Sequence, residues 1–323
     1  MLKAKEGIAV NLFLMYMLNF LDLRPYLVGS TRTKLNQKDM KRIMLPLPPL
    51  EEQWGIAEVL STVDRAIEKT EKLIERLERL KKALMQELLT KGIGHKEYKQ
   101  TPIGKIPKEW KIVKFKEIML NSPQSGLYKN KKFYGEGVKI VRMTELFRGN
   151  ILRIDYDMKR VRVSDNELAK YSLEPGDLLF ARRSLKVEGS GKCVLVPQLN
   201  EPVIFESSIL RVRLNKKLAY PLFYLYYLNS ELGRRQIKRM IRTVAVSGIT
   251  GRDLQKILIP LPPLTEQYKI ADILMSIDKW IKLEKKRKEK LERLKKGLMN
   301  LLLTGQVRVK VVKEEVSISS SSR

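Results

Sequence analysis

The chain has 323 residues, more than one typical domain, and its 64 Lys and Arg against 36 Asp and Glu give a formal net charge of +28. This excess predicts a polyanionic partner, nucleic acid above all, with a charge-rich chain from a hot environment as the alternative explanation. The single cysteine, Cys193, excludes an internal disulfide framework and a cysteine-based zinc site and predicts a reducing cytoplasm, and the single histidine, His95, is expected to be solvated in a linker.

Residues 8 to 23 form the first apolar segment of the chain. The segment is short for a membrane-spanning helix and contains Asn11, Asn19 and Asp22. Its central part, LFLMYMLN, is matched by LFYLYYLN at residues 222 to 229. Because the twin lies far inside a region with the pattern of a globular domain, we expect a core helix here and no membrane anchor.

An internal duplication organises the chain. Residues 39 to 90 recur at residues 253 to 304 at a constant offset, with about half of the positions identical. In the best-matched part, DMKRIMLPLPPL corresponds to DLQKILIPLPPL. About 150 residues separate the linker near residue 100 from the second proline cluster, but only about 38 precede the first copy. We therefore expect the first globular unit to lack roughly three quarters of its counterpart and to keep its last helix and its exit strand.

Each proline cluster is followed by apolar residues that alternate four and three apart, which predicts two long helices with a coiled-coil seam. Each helix would have about 40 residues and a length of ~60 Å. Neither buries its apolar stripe alone, so antiparallel packing of the two is the simplest expectation, with partner helices as the alternative. The predicted packing residues are Ile56, Leu60, Val63, Ile67, Leu77 and Leu84 in the first helix and Ile270, Leu274, Ile277, Leu291 and Leu298 in the second.

Between these helices, residues 101 to 260 mix short alternating or apolar runs with a helical stretch from about 219 to 241, which predicts an α+β domain. The sequence has no glycine-rich cofactor loop with an Asn- or Asp-Pro-Pro-aromatic motif, which an amino-methyltransferase needs. It also has no GxxxxGK[ST] loop, which a nucleotide-driven motor needs. Acids such as Asp155 and Glu174 are expected to be ordinary surface and not metal ligands. The sequence therefore predicts a chain without catalytic activity of its own.

Basic, polar and aromatic residues gather in three probable loops of this domain, at residues 122 to 137, 181 to 192 and 242 to 253. Arginine bonds guanine in the major groove, lysine pairs with phosphate, and glycine lets the backbone approach a phosphate. A solvated surface explains any one run equally well, but three runs and the net charge together favour DNA. The candidate contacts from these runs are Tyr128, Lys129, Lys131, Arg182, Arg183, Lys186, Ser247 and Thr250.

Several segments resemble type I restriction-modification specificity subunits: IGKIPKEWKIVKF at residues 103 to 115, EPGDLLFARRS at 174 to 184, SGITGRDLQKILIPLPPLTEQYKIADIL at 247 to 274, and the paired LERLKK helices. The resemblance covers nearly the whole chain. It implies α+β target recognition domains with mixed or antiparallel sheets, held apart by two long antiparallel coiled-coil spacer helices. It also adds Ser125, Arg142 and Thr144 to the candidate DNA contacts.

The resemblance further implies that each recognition domain reads one half of a bipartite site in double-stranded DNA. Methylation and cleavage would belong to partner methyltransferase and restriction subunits. S-adenosylmethionine, ATP and Mg²⁺ would be bound by those partners, so no catalytic residue, metal or cofactor is expected in this chain.

The predicted organisation is a C-terminal remnant of a first recognition domain (1–50), a first spacer helix and linker (51–98), a second recognition domain (99–263), a second spacer helix (264–305) and a flexible tail (306–323). No counterpart of IGKIPKEWKIVKF precedes the first proline cluster. Three possibilities therefore stay open. Two copies dimerise on a palindromic site, a separately encoded fragment completes the chain, or the chain is a remnant that binds the methyltransferase but specifies no site.

Overall fold

The computed structural model describes residues 3 to 29, 33 to 155, 157 to 184, 187 to 243 and 247 to 309. The helices are α1 (Asn11–Phe20), α2 (Gln37–Met40), α3 (Leu50–Lys91), α4 (Met143–Leu146), α5 (Asp165–Tyr171), α6 (Pro221–Asn229), α7 (Glu231–Met240), α8 (Gly251–Lys256) and α9 (Leu264–Leu303). The strands are β1 (Tyr98–Thr101), β2 (Gly104–Pro107), β3 (Lys111–Lys114), β4 (Gln124–Ser125), β5 (Tyr134–Val141), β6 (Arg160–Val161), β7 (Leu178–Ala181), β8 (Arg183–Ser184), β9 (Cys193–Leu195), β10 (Val203–Phe205), β11 (Ile209–Val212), β12 (Arg242–Thr243), β13 (Ser247–Gly248) and β14 (Leu258–Leu261).

The chain divides into two compact units, one made of Met1–Glu78 with Trp280–Arg323 and the other of Arg79–Lys279. Each long helix contributes one part to each unit. The domain boundaries predicted at residues 50, 98, 263 and 305 stay predictions. Most of the predicted tail lies outside the described residues.

Helix α1 forms the core of the first unit together with the N-terminal part of α3 and the C-terminal end of α9. Its residues Phe13, Tyr16 and Met17 are buried in one hydrophobic cluster with Leu60 and Leu302. Aromatic and aliphatic side chains three and four apart place this face of α1 on the core. The predicted core helix is confirmed. Among the described residues, no helix is both long enough and apolar enough to cross a membrane.

Helices α3 and α9 run antiparallel, as a series of ion pairs in the first unit shows. Asp64 pairs with Lys295 at 2.6 Å, and Glu78 pairs with Lys285 at 2.6 Å. As residue numbers increase along α3, the numbers of their partners on α9 decrease, so the two helices run in opposite directions. Of the predicted seam residues, Ile56, Leu60, Val63, Leu77, Ile270, Leu274 and Ile277 are buried, and Ile67, Leu84, Leu291 and Leu298 are half-buried. The predicted antiparallel spacer helices are confirmed.

The second unit contains the α+β domain. Its largest sheet is antiparallel, with the strand order β4-β11-β7-β9. A second sheet, β10-β5-β6, is mixed, because β10 runs parallel to β5 and β6 runs antiparallel to it. Strand β7 has four buried residues in a row because side chains from both of its faces enter hydrophobic clusters. The predicted α+β class with mixed and antiparallel sheets is confirmed.

The two copies of the duplication differ at the proline clusters, and one prediction fails there. In the second unit, β14 pairs antiparallel with β3. The equivalent residues 44 to 47 form no strand, and no described strand pairs with them. The prediction that the first copy keeps its exit strand is therefore wrong. A strand needs a neighbouring strand that bonds its backbone groups, and the described residues supply none here.

His95 is not solvated, contrary to the sequence-based expectation. Its side chain is only 12% exposed, and Nε2 lies 2.9 Å from Oε1 of Glu266. The other carboxylate oxygen of Glu266 accepts a hydrogen bond from Trp110 Nε1 at 2.9 Å. Gly92 and Gly94 follow α3 and adopt positive φ values of +65° and +75°, which end the helix. The chain can then turn back, which brings His95 to the first turn of α9.

Candidate nucleic-acid interface

Two of the three basic loops meet at a small sheet in the second unit. Strand β8 pairs antiparallel with β13, so that Arg183 lies opposite Gly248. The backbone N–H of Ile249 also donates to the carbonyl of Arg182 at 3.0 Å. These bonds bring together segments that are about 60 residues apart in sequence.

The same small sheet places two arginines on either side of one glycine. Gly248 lies opposite Arg183 on β8 and opposite Arg242 on β12. Residues in register on neighbouring antiparallel strands share a face, and strands two apart lie about 9.5 Å from each other. Both arginines are exposed, and neither contacts a carboxylate among the described residues. We call Arg183 and Arg242 the arginine pair.

Arg182 connects this sheet to the first basic loop. Its Nη1 lies 3.5 Å from Oγ of Ser125 and 3.4 Å from the carbonyl of Ser207, so both bonds are long. Ser125 is fixed by the pairing of β4 with β11. In the described part of the chain, the half-buried guanidinium of Arg182 has no acidic partner. Ser125, on β4, therefore lies against Arg182, which directly precedes Arg183 of the arginine pair in sequence.

The chain belongs to a family that these features fit. It matches the model of the type I restriction modification DNA specificity domain over residues 2–79 and 107–293, which is most of its length. The protein is a member of the type I specificity-subunit family. The predicted class is thereby confirmed, that of a specificity subunit and not of a methyltransferase or a nuclease.

Individual relatives agree with this membership. The type I restriction enzyme MjaVIII specificity subunit of Methanocaldococcus jannaschii is 34% identical over 316 residues, which cover 96% of this chain and 73% of the relative. The putative type I restriction enzyme MjaX specificity subunit of the same organism is 38% identical over 290 residues, which cover 86% of this chain and 63% of the relative. The crystal structure of the HsdS subunit from Thermoanaerobacter tengcongensis shares the fold, with a TM-score of 0.53 over 95% of this chain and 73% of that chain at 20% identity.

Other predicted contacts of this specificity subunit are already engaged within the protein. Lys129 pairs with Glu167 at 2.8 Å and is largely shielded from solvent. Thr250 caps helix α8, and its hydroxyl donates to Asp253 at 2.6 Å. An ion-paired lysine attracts phosphate less than a free one, and a capping hydroxyl has to leave its helix to bond a base.

Arg142 and Thr144 both donate hydrogen bonds to the buried carboxylate of Glu145. Arg142 Nη2 donates to Glu145 at 2.9 Å, and the Thr144 hydroxyl donates to the same carboxylate at 3.0 Å. Burial alone would raise the pKa of Glu145, but these hydrogen bonds outweigh it and hold the pKa below its usual value. The structure thus gives both residues a role in ordering α4.

Tyr128 and Lys131 stay open to solvent. Tyr128 is 81% exposed and Lys131 is also exposed, next to an ordered turn at Lys131–Phe133. An exposed tyrosine supplies a flat face for stacking, and an exposed lysine supplies a charge for phosphate. Lys186 lies outside the described residues, and Ser247 is described only by its backbone in β13.

Arg242 belongs to the third basic run, whose residues the sequence favours for DNA contact, and the pairing of β12 with β13 brings it opposite Gly248. One further residue escaped the sequence-based list. Glu206 is half-buried, accepts a hydrogen bond from Met143 N at 2.8 Å, and lies where Gly126 passes so closely that an added Cβ would be 2.3 Å from its carbonyl oxygen. A carboxylate can accept a hydrogen bond from cytosine N4. In the sequence, Gly126 was the available signal for Glu206, but a glycine by itself does not identify a binding residue.

Proposed function

We propose that this chain is the sequence-specific DNA-recognition subunit of a type I restriction-modification system. It would direct methyltransferase and restriction subunits to a target site in double-stranded DNA. The observation that supports this most is the arginine pair: two exposed cations without acidic partners among the described residues, fixed by strand register on both sides of Gly248. Arginines of this kind can bond guanine bidentately or neutralise phosphates.

The net charge of the chain supports the same proposal. The formal net charge of +28 attracts a polyanion over long distances, and each phosphate contact releases counterions. The long helices would contact the methyltransferase. S-adenosylmethionine, ATP and Mg²⁺ would be bound by the partner subunits and not by this chain. The setting would be the cytoplasm, where the DNA of a restriction system lies.

A methylation map tests the proposal directly. The chain is co-expressed with its methyltransferase subunit in a host without other modification, and methylated bases are located across the genome by single-molecule sequencing. A defined motif is expected. An asymmetric bipartite motif would indicate a complementing fragment, whereas a palindrome would indicate two copies of this chain.

The matched variants are R183A with R242A, and K129A as the control. We expect the double variant to lose the motif or to relax it, because it removes the arginine pair. Lys129 is already paired with Glu167, so K129A should keep the motif. A stable complex of the unaltered chain without any methylation would contradict the proposal and support the alternative, a remnant that binds the methyltransferase and specifies no site.

A further inference from the structure

The carboxyl ends of two neighbouring parallel strands meet at one edge of the second unit. Strands β5 and β10 pair parallel, so that Val141 lies opposite Phe205. The chain leaves both strands side by side, and Glu206 N donates to the carbonyl of Val141 at 3.0 Å. Met143 N in turn donates to Oε1 of Glu206 at 2.8 Å. In open sheets, the carboxyl ends of parallel strands are a common place for binding residues.

Arg182 reaches the same edge from the end of strand β7. Its backbone N–H donates to the carbonyl of Ser208 at 2.9 Å. Its Nη1 lies 3.4 Å from the carbonyl of Ser207, the residue that follows Glu206. Arg182 also directly precedes Arg183 of the arginine pair. The carboxylate of Glu206 therefore lies on the backbone segment that contacts the candidate nucleic-acid interface.

The segment that carries Glu206 is fixed from a further side by residues 126 and 127. Leu127 N donates to the carbonyl of Phe205 at 2.8 Å, and Ser207 N donates to the carbonyl of Leu127 at 3.0 Å. Gly126 passes so closely that an added Cβ would collide with the carbonyl oxygens of Phe205 and Glu206. These contacts restrict the backbone on both sides of Glu206. A side chain that reads a base edge needs a backbone fixed in this way.

The carboxylate of Glu206 has few partners of its own. It is half-buried, and among the described residues it accepts one side-chain hydrogen bond, from Met143 N, and pairs with no lysine or arginine. Burial raises its pKa, so ionisation of this carboxyl costs the folded chain stability. A fixed, half-buried carboxylate that destabilises the fold is typical of functional sites.

The major groove offers one base that suits a carboxylate best. A carboxylate accepts hydrogen bonds and donates none, so the acceptors guanine O6, guanine N7 and thymine O4 repel it. Adenine presents its N6 amino group beside the acceptor N7, which repels the second carboxylate oxygen. Cytosine presents its N4 amino group without an acceptor beside it, and the guanine paired with it offers O6 and N7 to an arginine.

We propose that Glu206 is a specificity-determining residue that accepts a hydrogen bond from N4 of a cytosine in the DNA target. Arg182 lies close enough to serve the guanine acceptors of the same or the next base pair. This inference rests on the proposed function and deepens it by naming one base that the chain reads. It predicts that the target contains a C·G pair whose recognition depends on Glu206.

Single base-pair changes in the target test this inference in the assembled complex. The unaltered chain or its E206Q variant is purified with the methyltransferase subunit, and the motif is taken from the methylation map of the unaltered chain. Each C·G pair of the motif is replaced in turn by T·A in a short duplex, and affinities are measured by fluorescence anisotropy. E231Q is the matched control, because Glu231 is exposed on α7 and pairs with Arg235.

We expect one or more C·G positions at which E206Q changes base discrimination. At such a position, T·A should lower the affinity of the unaltered complex ~tenfold or more, and that of E206Q ~threefold or less. The reason is that a glutamine amide can donate to thymine O4 as well as accept from cytosine N4. E206Q should keep the full penalty at the remaining C·G positions, which shows that it is folded, and E231Q should keep it at all of them.

Two results would overturn the inference and leave the proposed function intact. One is a motif without any C·G pair. The other is a set of penalties that E206Q leaves unchanged or weakens equally at every position, which would give Glu206 only its structural role as the partner of Met143. A map without any motif for the unaltered chain would instead contradict the proposed function, and the inference would fall with it.

Discussion

Lys81 of helix α3 donates a hydrogen bond to Asp278 of helix α9 at 2.5 Å. The other oxygen of Asp278 accepts a hydrogen bond from Tyr226 of helix α6 at 2.8 Å. One carboxylate thus ties three helices of the second unit together. Burial raises the pKa of Tyr226, and the charge of Asp278 and its hydrogen bond raise it further, so the phenol stays a donor at all physiological pH values.

The first unit contains the equivalent set of residues. Lys295 pairs with Asp64 at 2.6 Å, and Tyr16 donates to Asp64 at 2.7 Å. The lysine and the aspartate of each set have exchanged helices, since the lysine is on α3 in one unit and on α9 in the other. This exchange is what an antiparallel pair of duplicated helices requires.

Removing the Lys81–Asp278 pair should destabilise the second unit. In a double-mutant cycle of K81M and D278N, we expect a coupling energy of about 1–2 kcal/mol, because both groups are partly shielded and Asp278 is also bonded by Tyr226. The same cycle on the exposed pair Lys72 and Glu68 should give about 0.3–0.5 kcal/mol. Urea unfolding followed by circular dichroism measures both. Equal coupling in the two cycles would show that burial adds nothing to the Lys81–Asp278 pair.

Gly92 should tolerate alanine worse than Gly94 does. Both have positive φ, so either substitution costs about 1–2 kcal/mol of backbone strain. A Cβ at Gly92 would also lie 2.5 Å from Glu266 Oε1 and 2.7 Å from Trp110, whereas nothing lies within 4 Å of one at Gly94. We expect G92A to lose about 1–3 kcal/mol more than G94A in urea unfolding. Similar losses for the two variants would mean that Glu266 and Trp110 shift to accommodate the extra methyl group.

Replacing Glu206 should stabilise the protein at neutral pH. Burial raises the pKa of this carboxyl above its usual value of 4.5, although the bond from Met143 N opposes the shift. The folded chain therefore holds the proton more tightly than the unfolded chain. Its favourable contribution is complete below pH 4.5 and is lost as the pH rises through the folded pKa. E206Q should be more stable than the unaltered chain at pH 7 and about equally stable near pH 4.

Glu145 provides the opposite control for this pH dependence. Its pKa is lowered overall, because the bonds from Arg142 and Thr144 outweigh burial. Its contribution is present above pH 4.5 and is lost as the pH falls through the folded pKa. E145Q should therefore be less stable than the unaltered chain at pH 7. Urea unfolding between pH 4 and pH 8 measures both variants, and shifts of the same sign would contradict the assigned pKa directions.

The arginine pair should contribute measurably to the salt dependence of DNA binding. Removal of a phosphate contact lowers the slope of log K against log salt by about 0.9. We expect a loss of about this size for either R183A or R242A, measured by fluorescence anisotropy on a 30-base-pair duplex in increasing KCl. K129A should change the slope less, because Lys129 is held by Glu167. A larger change for K129A than for the arginine variants would place the DNA elsewhere on the recognition domain.

The sequence predicted the repeated parts of this protein well because their signal is periodic. Apolar residues four and three apart define a helix face locally, and the duplication shows each face twice. The core position of α1 followed from its twin for the same reason. His95 was misjudged because its partner, Glu266, is 171 residues away and nothing near His95 in sequence indicates burial.

The sequence by itself determined the family, the α+β class, the two long helices and a strongly basic surface, since composition, repeats and motifs carry these properties along the chain. Only the tertiary structure decided which charges remain available. Lys129 forms an ion pair with Glu167, far along the chain, whereas strand register placed Arg183 and Arg242 on either side of Gly248. It also showed that no strand in the described part of the chain pairs with residues 44 to 47. Ion pairs and strand ladders join distant positions, so their partners are fixed by the fold and not by local sequence.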